Sequence, residues 1–205
     1  MIKKVKVHGF NSENAYFYID DKTHHGFLID PGFESDVLLN TIDENGWTIE
    51  AILITHGHFD HIGAINDVRE KTNCKVYAGK NASMYLENVE YNLSYYCGKE
   101  IIIKEYIILN NGEKVYLDSN HNFYLKVMET PGHTSDSVIY YNEEDNIAFV
   151  GDTIFKGTYG RTDLPGSSEE HIKESIKKVL KFNKDMILYP GHSEETTVGV
   201  ELNNY

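Results

Sequence analysis

Three imidazoles and a carboxylate crowd into six consecutive positions of this 205-residue chain: His56, His58, Asp60 and His61, with Gly57 and Phe59 between them. Packing alone gives no reason for such density. Nitrogen-rich ligands of borderline softness suit Zn²⁺, Fe²⁺ or Mn²⁺ better than Ca²⁺ or Mg²⁺, and the absence of nearby thiolates argues against a structural cysteine-type zinc site. Gly57 is expected to supply unusual backbone angles that let His56 and His58 converge, while Asp60 and His61 point elsewhere. Two neighbouring ligand pairs imply two metal ions.

Three further candidates repeat one local pattern, an apolar β-type run, a breaker and a single ligand. His133 follows Thr130-Pro131-Gly132, Asp152 follows Val150-Gly151, and His192 follows Tyr189-Pro190-Gly191. With five imidazoles and two carboxylates the set exceeds what a structural site needs and leaves room for water, which suits catalysis. The remaining histidines, His8, His24, His25, His121 and His171, read as surface residues.

The elements that must carry these residues are legible in outline. Apolar and β-branched runs at 5–7, 15–19 and 26–29 predict an opening antiparallel meander. Asp30-Pro31-Gly32 breaks it, and helical spacing of Val37, Leu38 and Ile42 predicts a helix over 35–44 that ends near Gly46. Residues 51–54 read as a buried strand, feeding the histidine loop and a helix running towards Glu70. Strands are expected at 75–77, 114–117, 124–129, 137–141, 147–150 and 186–188, with a helix over 168–180; residues 81–98 carry no firm periodicity. Their tyrosines, Tyr85, Tyr91, Tyr95 and Tyr96, either pack or line a pocket. Mixed strands with interspersed helices favour a layered α/β sandwich, and nothing marks a boundary inside a single domain of residues 1–205.

Charge narrows the partners. Nineteen Lys and Arg against 32 Asp and Glu give a formal net charge of -13, which repels nucleic acid and anionic lipid. No apolar run approaches the roughly 20 residues of a spanning helix, and the amino-terminal MIKKVKVHGF lacks a signal-peptide core, so a cytoplasmic protein is expected. The two cysteines, Cys74 and Cys97, form no CxxC pair, in keeping with a reducing compartment. The oligomeric state is not encoded in any of these features.

The histidine loop, together with Thr130-Pro131-Gly132-His133-Thr134, Gly151-Asp152-Thr153 and Pro190-Gly191-His192, resembles the metallo-β-lactamase fold superfamily over almost the whole chain, with its H-x-H-x-D-H signature. The resemblance implies an αβ/βα four-layer sandwich of two mixed β-sheets flanked by helices, with a dinuclear site at one edge. It assigns His56, His58 and His133 to one ion, Asp60, His61 and His192 to the other, and Asp152 to both. Zn²⁺ is the first expectation, with Fe or Mn as alternatives. Two carboxylates against four positive charges would leave a net positive hole, so the expected substrate is a small anionic molecule.

Within that superfamily, an Asp at position 152, where its β-lactamases carry Cys or Ser, points away from antibiotic hydrolysis. The segment from Gly151 to Ser167, GDTIFKGTYGRTDLPGS, is similar to glyoxalase II and its short bacterial hydroxyacylglutathione hydrolase-like relatives. This implies a thioester or related ester hydrolase in which Asp60 and Asp152 serve a bridging hydroxide, and a thiolate with a parent pKa of about 8.5 leaves without a general acid. Glyoxalase II carries a C-terminal helical domain that holds glutathione; only 13 residues follow His192 here, so no such substrate domain is expected. Arg161 either grips a substrate carboxylate or pairs with Asp163 to fix its loop. Persulfide dioxygenases share the signature and the Gly160-Arg161-Thr162-Asp163 segment but use one iron on the equivalents of His56, His133 and Asp152, and they form the competing reading. Leu164-Pro165-Gly166 after that segment is more like the hydrolases, while His58 stands where flavodiiron oxygen reductases carry Glu.

Overall fold

The structure is a computed structural model that describes residues 1–205. Its first half builds a six-stranded sheet in the order β1 (Ile2–His8), β2 (Ser12–Ile19), β3 (His25–Ile29), β4 (Thr48–Leu53), β5 (Lys75–Ala78) and β6 (Ile107–Ile108). The β1–β3 meander is antiparallel, as the turn residues predict, whereas β3, β4, β5 and β6 run parallel. Parallel pairing requires crossovers, and α1 (Ser35–Asn45) and α3 (Ile65–Thr72) supply two of them.

The second half builds another six-stranded sheet, from β7 (Lys114–Tyr116), β8 (Tyr124–Glu129), β9 (Val138–Asn142), β10 (Ile147–Gly151), β11 (Ile187–Pro190) and β12 (Thr196–Thr197). Helix α5 (Glu169–Val179) connects β10 to β11 across its outer face, with Ser168 at its N-cap accepting from the His171 N–H. The cap and the helix match the spacing predicted over 168–180.

Alternation along each strand sorts side chains into layers. Tyr16, Tyr18, Phe27 and Leu53 point inwards and meet Leu125, Val127, Tyr140 and Phe149 of the second sheet. Their neighbours Phe17, Ile19, Leu28 and Ile52 point outwards against Leu38, Ile42, Ile65 and Val68 of the helices. On the other side Ile139, Ala148 and Val150 pack on Ile172, Ile176 and Val179 of α5. Helix, sheet, sheet, helix is therefore the layer order, as the resemblance implies. Each large apolar side chain so buried stabilises the fold by about 1.5–3 kcal/mol relative to exposure.

Two local readings differ. The helix expected after the histidine loop is split into α2 (Phe59–Ile62) and α3, because the Gly63–Ala64 step breaks the run. The unassigned residues 81–98 hold a short helix, α4 (Ser83–Leu86), and a 3₁₀ turn over Ser94–Cys97, both too brief to leave a periodic signal. No helix is long and apolar enough to cross a membrane.

Candidate metal centre

Strand direction explains why the pattern of strand, breaker and ligand recurs. β3 and β4 are parallel, so Asp30 and the 55–61 loop leave the first sheet at one edge. In the second sheet β8 and β10 both run antiparallel to β9, and β11 is parallel to β10, so His133, Asp152 and His192 also emerge together. The sandwich brings these two edges face to face, and all seven predicted ligands converge there.

Three groups of donors each have one atom per residue within 4.8 Å of the others: His56, His58 and His133; His56, His61 and Asp152; and Asp60, His61 and His192. The separations are informative. His61 Nε2 lies 3.5 Å from Asp152 Oδ1, His133 Nε2 lies 3.5 Å from Asp152 Oδ2, and His192 Nε2 lies 3.4 Å from Asp60 Oδ2 and 3.6 Å from Asp152 Oδ2. Such gaps are long for N–H···O bonds, but two ligands on a tetrahedral zinc, with bonds near 2.1 Å, sit about 3.4 Å apart.

Ring orientation agrees. His133 Nδ1 lies 2.8 Å from the Arg161 carbonyl, His192 Nδ1 lies 2.8 Å from the Ser12 carbonyl, and His61 Nδ1 lies 3.0 Å from Asp30 Oδ2. Each acceptor draws the proton to Nδ1 and leaves the Nε2 lone pair facing the other ligands. His58 presents Nδ1 instead, 2.9 Å from His133 Nε2. The Nε2 atoms of His56 and His61 and the Asp152 Oδ1 are buried without a hydrogen-bond partner. Buried polar atoms left bare in this way are costly, and cations on either side of Asp152 would satisfy them. The donor set thus fits a dinuclear metal site.

Electrostatics divide the cluster. Burial pushes His56, His58 and His133 below the usual imidazole range, keeping them neutral and ready to ligate. For His61 and His192 burial works in the same direction but is outweighed by carboxylates, Asp152 foremost, and both are raised. Asp60 is held well below the carboxylate range because the imidazoles facing it, His192 and His61 foremost, overcome its burial.

The role expected of Gly57 is corrected. Its φ is not positive; what excludes a side chain is contact, since a Cβ there would lie 2.5 Å from Tyr85 Cβ. Gly191 is needed for a similar reason, as its Cβ would lie 2.4 Å from His61 Cε1 and 2.6 Å from Asp152 Oδ1.

The centre opens into a cavity of about 610 Å³ lined by Asn11, Phe59, Leu93, Phe155, Arg161 and Leu164 together with His58, Asp60, His133, Asp152 and His192. Arg161 is its only Lys or Arg, and the guanidinium is engaged by Asp163 through bonds of 2.6 and 2.7 Å. Its backbone carbonyl, rather than its charge, reaches the centre, through His133. Tyr85 is fully buried and packs, with its hydroxyl accepting from the Ser135 N–H, whereas Tyr95 and Tyr96 are exposed and Leu93 represents that segment in the cavity. His8, His24, His121 and His171 are exposed, and His25 is half-buried against Glu50.

Several supporting residues escape the sequence reading. Asp30 accepts from the Thr55 N–H at 2.7 Å and its hydroxyl at 2.6 Å while holding His61. It ends a strand as the ligands do, which is the signal that could have found it. Glu13 and Asp136 are buried carboxylates with oxygens that have no partner, and nothing in their spacing marks them.

Comparison with known proteins agrees with this geometry. Residues 8–192 match the model of the Metallo-beta-lactamase superfamily. The chain belongs to that superfamily. It is 38% identical over 192 residues to the probable metallo-hydrolase YqgX of Bacillus subtilis (strain 168), covering 92% of this chain and 88% of that protein. It is 29% identical to the hydroxyacylglutathione hydrolase GloC of Haemophilus influenzae (strain ATCC 51907 / DSM 11121 / KW20 / Rd), covering 98% and 94%. Among solved structures, the BLEG-1 B3 metallo-beta-lactamase superposes with a TM-score of 0.91 at 32% identity, covering 99% and 97%. TTHA1623 in a di-iron-bound form superposes with a TM-score of 0.87 at 30% identity, covering 98% of each chain.

Proposed function

We propose that this superfamily member is a dinuclear metal-dependent hydrolase of small thioesters, similar to glyoxalase II. The observation that carries the reading is the position of Asp152, whose Oδ2 lies 3.5 Å from His133 of one ligand group and 3.6 Å from His192 of the other, while its Oδ1 lies 3.5 Å from His61. Asp60, His61 and His192 would hold one ion, His56, His58 and His133 the other, and Asp152 both. When bound, such a pair lowers the pKa of a water towards neutrality and polarises an acyl oxygen.

The protein's own residues do the rest. Phe59, Leu93, Phe155 and Leu164 flank the cavity with apolar surface that displaces bulk water from the acyl group. Asp60, kept as a carboxylate by the imidazoles around it, offers an oxygen that can accept a hydrogen bond from the attacking water, whose proton passes on to solvent. Water adds its oxygen to the acyl carbon, the C–S bond breaks, and the sulfur leaves as thiolate, so no acid is needed for departure. An anionic substrate would meet its countercharge at the centre, because Arg161 is already paired. A GloC relative supports thioesters; the B3 β-lactamase neighbour makes a β-lactam the control to run. The free cysteines Cys74 and Cys97 support a cytoplasmic setting.

The test is to purify the protein, measure Zn, Fe and Mn, and assay S-lactoylglutathione, a minimal-thiol ester of the same acyl group, a β-lactam and a glutathione persulfide with oxygen uptake. Two ions per chain and thioester cleavage are expected. Oxygen consumption with the persulfide and a single iron would replace this reading with the dioxygenase.

A further inference from the structure

Behind the ring of His61, on the side away from Asp152, lies a carboxyl group that the proposed mechanism does not use. Glu13, on β2, is 0% exposed, and neither of its oxygens has a hydrogen-bond partner. Its Oε1 lies 3.9 Å from His61 Nδ1, and Glu13, Asp30 and His61 place one donor each within 4.8 Å of one another. The approach is tight: a Cβ on Gly32 would lie 2.9 Å from Glu13 Oε2 and 1.9 Å from the Asp60 carbonyl oxygen. The carboxyl group is therefore walled in beneath the loop that carries Asp60 and His61.

A fully buried carboxylate without donors costs a protein stability, and β2 could bury an apolar or amide side chain at this position instead. Asp30 already takes the His61 Nδ1 proton, so Glu13 is not needed to set the tautomer. Burial pushes the Glu13 carboxyl well above the usual carboxylate range in the metal-free protein, so what it adds is a negative charge that bound cations draw out by displacing its proton. With two divalent ions bound, four positive charges would face two negative charges on the ligands Asp60 and Asp152, and Asp30 and Glu13 would bring the other two from behind His61. Charge behind a ligating imidazole raises its basicity and orients the ring, and loss of such support weakens metal binding about 10–100-fold in comparable sites.

We infer that Glu13 is a positioning residue that supports the metal held by Asp60, His61 and His192 by placing a second carboxylate behind His61. This rests on the dinuclear reading above but concerns ion affinity, not the substrate. Its signature is a division between two measurements. Glu13→Gln keeps the shape and removes the charge, so Zn²⁺ at that position weakens at least about tenfold, while the other ion and the thermal midpoint of metal-free protein are retained. Glu13→Asp, which restores a carboxylate, recovers part of the affinity.

The experiment is Zn²⁺ titration of metal-free wild type, Glu13→Gln and Glu13→Asp against a chromophoric chelator, with thermal unfolding of each metal-free protein. Unchanged affinity for both ions in Glu13→Gln would overturn the inference. So would equal weakening of both ions with a lowered metal-free midpoint, the pattern of a packing defect, or an aspartate variant that binds more weakly than the glutamine one. A wild type that takes up one ion only would overturn this inference and the dinuclear reading together. A wild type that binds two ions but cleaves no thioester would overturn the substrate reading alone.

Discussion

The two flanks of the metal centre are built on opposite principles. On one, His56, His58 and His133 are almost wholly enclosed and held neutral by burial, so they form a nitrogen pocket that waits for a cation without any proton to displace. On the other, Asp60, His61 and His192 sit among carboxylates that raise the basicity of the two imidazoles, and His192 keeps 26% of its side-chain exposure at the cavity mouth. The first flank is organised by desolvation, the second by charge. Each is backed by a buried carboxyl with a bare oxygen, Asp136 beneath Gly57 and Glu13 behind His61.

Asp152 joins the flanks, so its loss gives the largest effect. Asp152→Ala should lower kcat/KM for a thioester by at least a thousandfold, about 4 kcal/mol of transition-state stabilisation, and reduce metal content. Single alanine variants of His58 or His192 should lose less, because each touches one flank. If Asp152→Ala turned over like either of them, the two flanks would be working independently.

Metal removal is next. An ion held at a hundred times its dissociation constant adds about 2.7 kcal/mol to stability, and in a chain of this size each kcal/mol moves the midpoint by about 2–4 °C. Stripping both ions should therefore lower the thermal midpoint by roughly 10 °C or more. The loss should come in two phases, the more exposed Asp60–His61–His192 flank releasing first on titration with a chelator. One concerted phase would mean that the flanks differ in appearance only.

How far the sequence shows this contrast depends on residue type. All seven candidate ligands are visible, because His and Asp at this density have no packing role and the breakers before His133 and His192 mark where strands end. The four-layer order is legible for the same reason, since alternating runs such as 15–19 and 147–150 declare two faces. What stays hidden is the backing. Thr55, Asp30, Glu13 and Asp136 act through contacts between residues distant along the chain, as when Thr55 meets Asp30 across 25 positions. The role of Gly57 is hidden likewise, as it depends on Tyr85 approaching from α4, a helix too short to show a period.

Asp136 offers a test of the desolvated flank alone. Burial raises its carboxyl from 3.8 to about 7, despite hydrogen bonds from Thr134 and the Gly57 backbone. The folded state thus holds a proton that the unfolded chain releases above about pH 4, so the folded protein loses stability as pH rises from about 4 to 7 and is fully penalised beyond. Asp136→Asn removes that penalty. It should raise the thermal midpoint by about 5 °C at pH 8, on the order of 2 kcal/mol, with the gain vanishing near pH 4. A gain independent of pH would show that Asp136 is ionised in the fold and that the flank is not organised by desolvation.

The smallest effect is expected at Arg161, and it separates charge at the cavity mouth from charge at the centre. The guanidinium and Asp163 are both exposed, and exposed pairs of this kind contribute little to stability. The backbone carbonyl that holds His133 survives substitution. Arg161→Ala should leave the midpoint unchanged and alter kcat/KM for an uncharged thioester by less than about threefold. S-lactoylglutathione decides more. If its kcat/KM fell about a hundredfold while the uncharged ester was unaffected, the guanidinium must leave Asp163 to grip a substrate carboxylate, and the mouth would carry specificity that the charged flank does not. If both esters fell together with a loss of metal, Arg161 would be fixing the loop that aims His133, and the effect would belong to the desolvated flank instead.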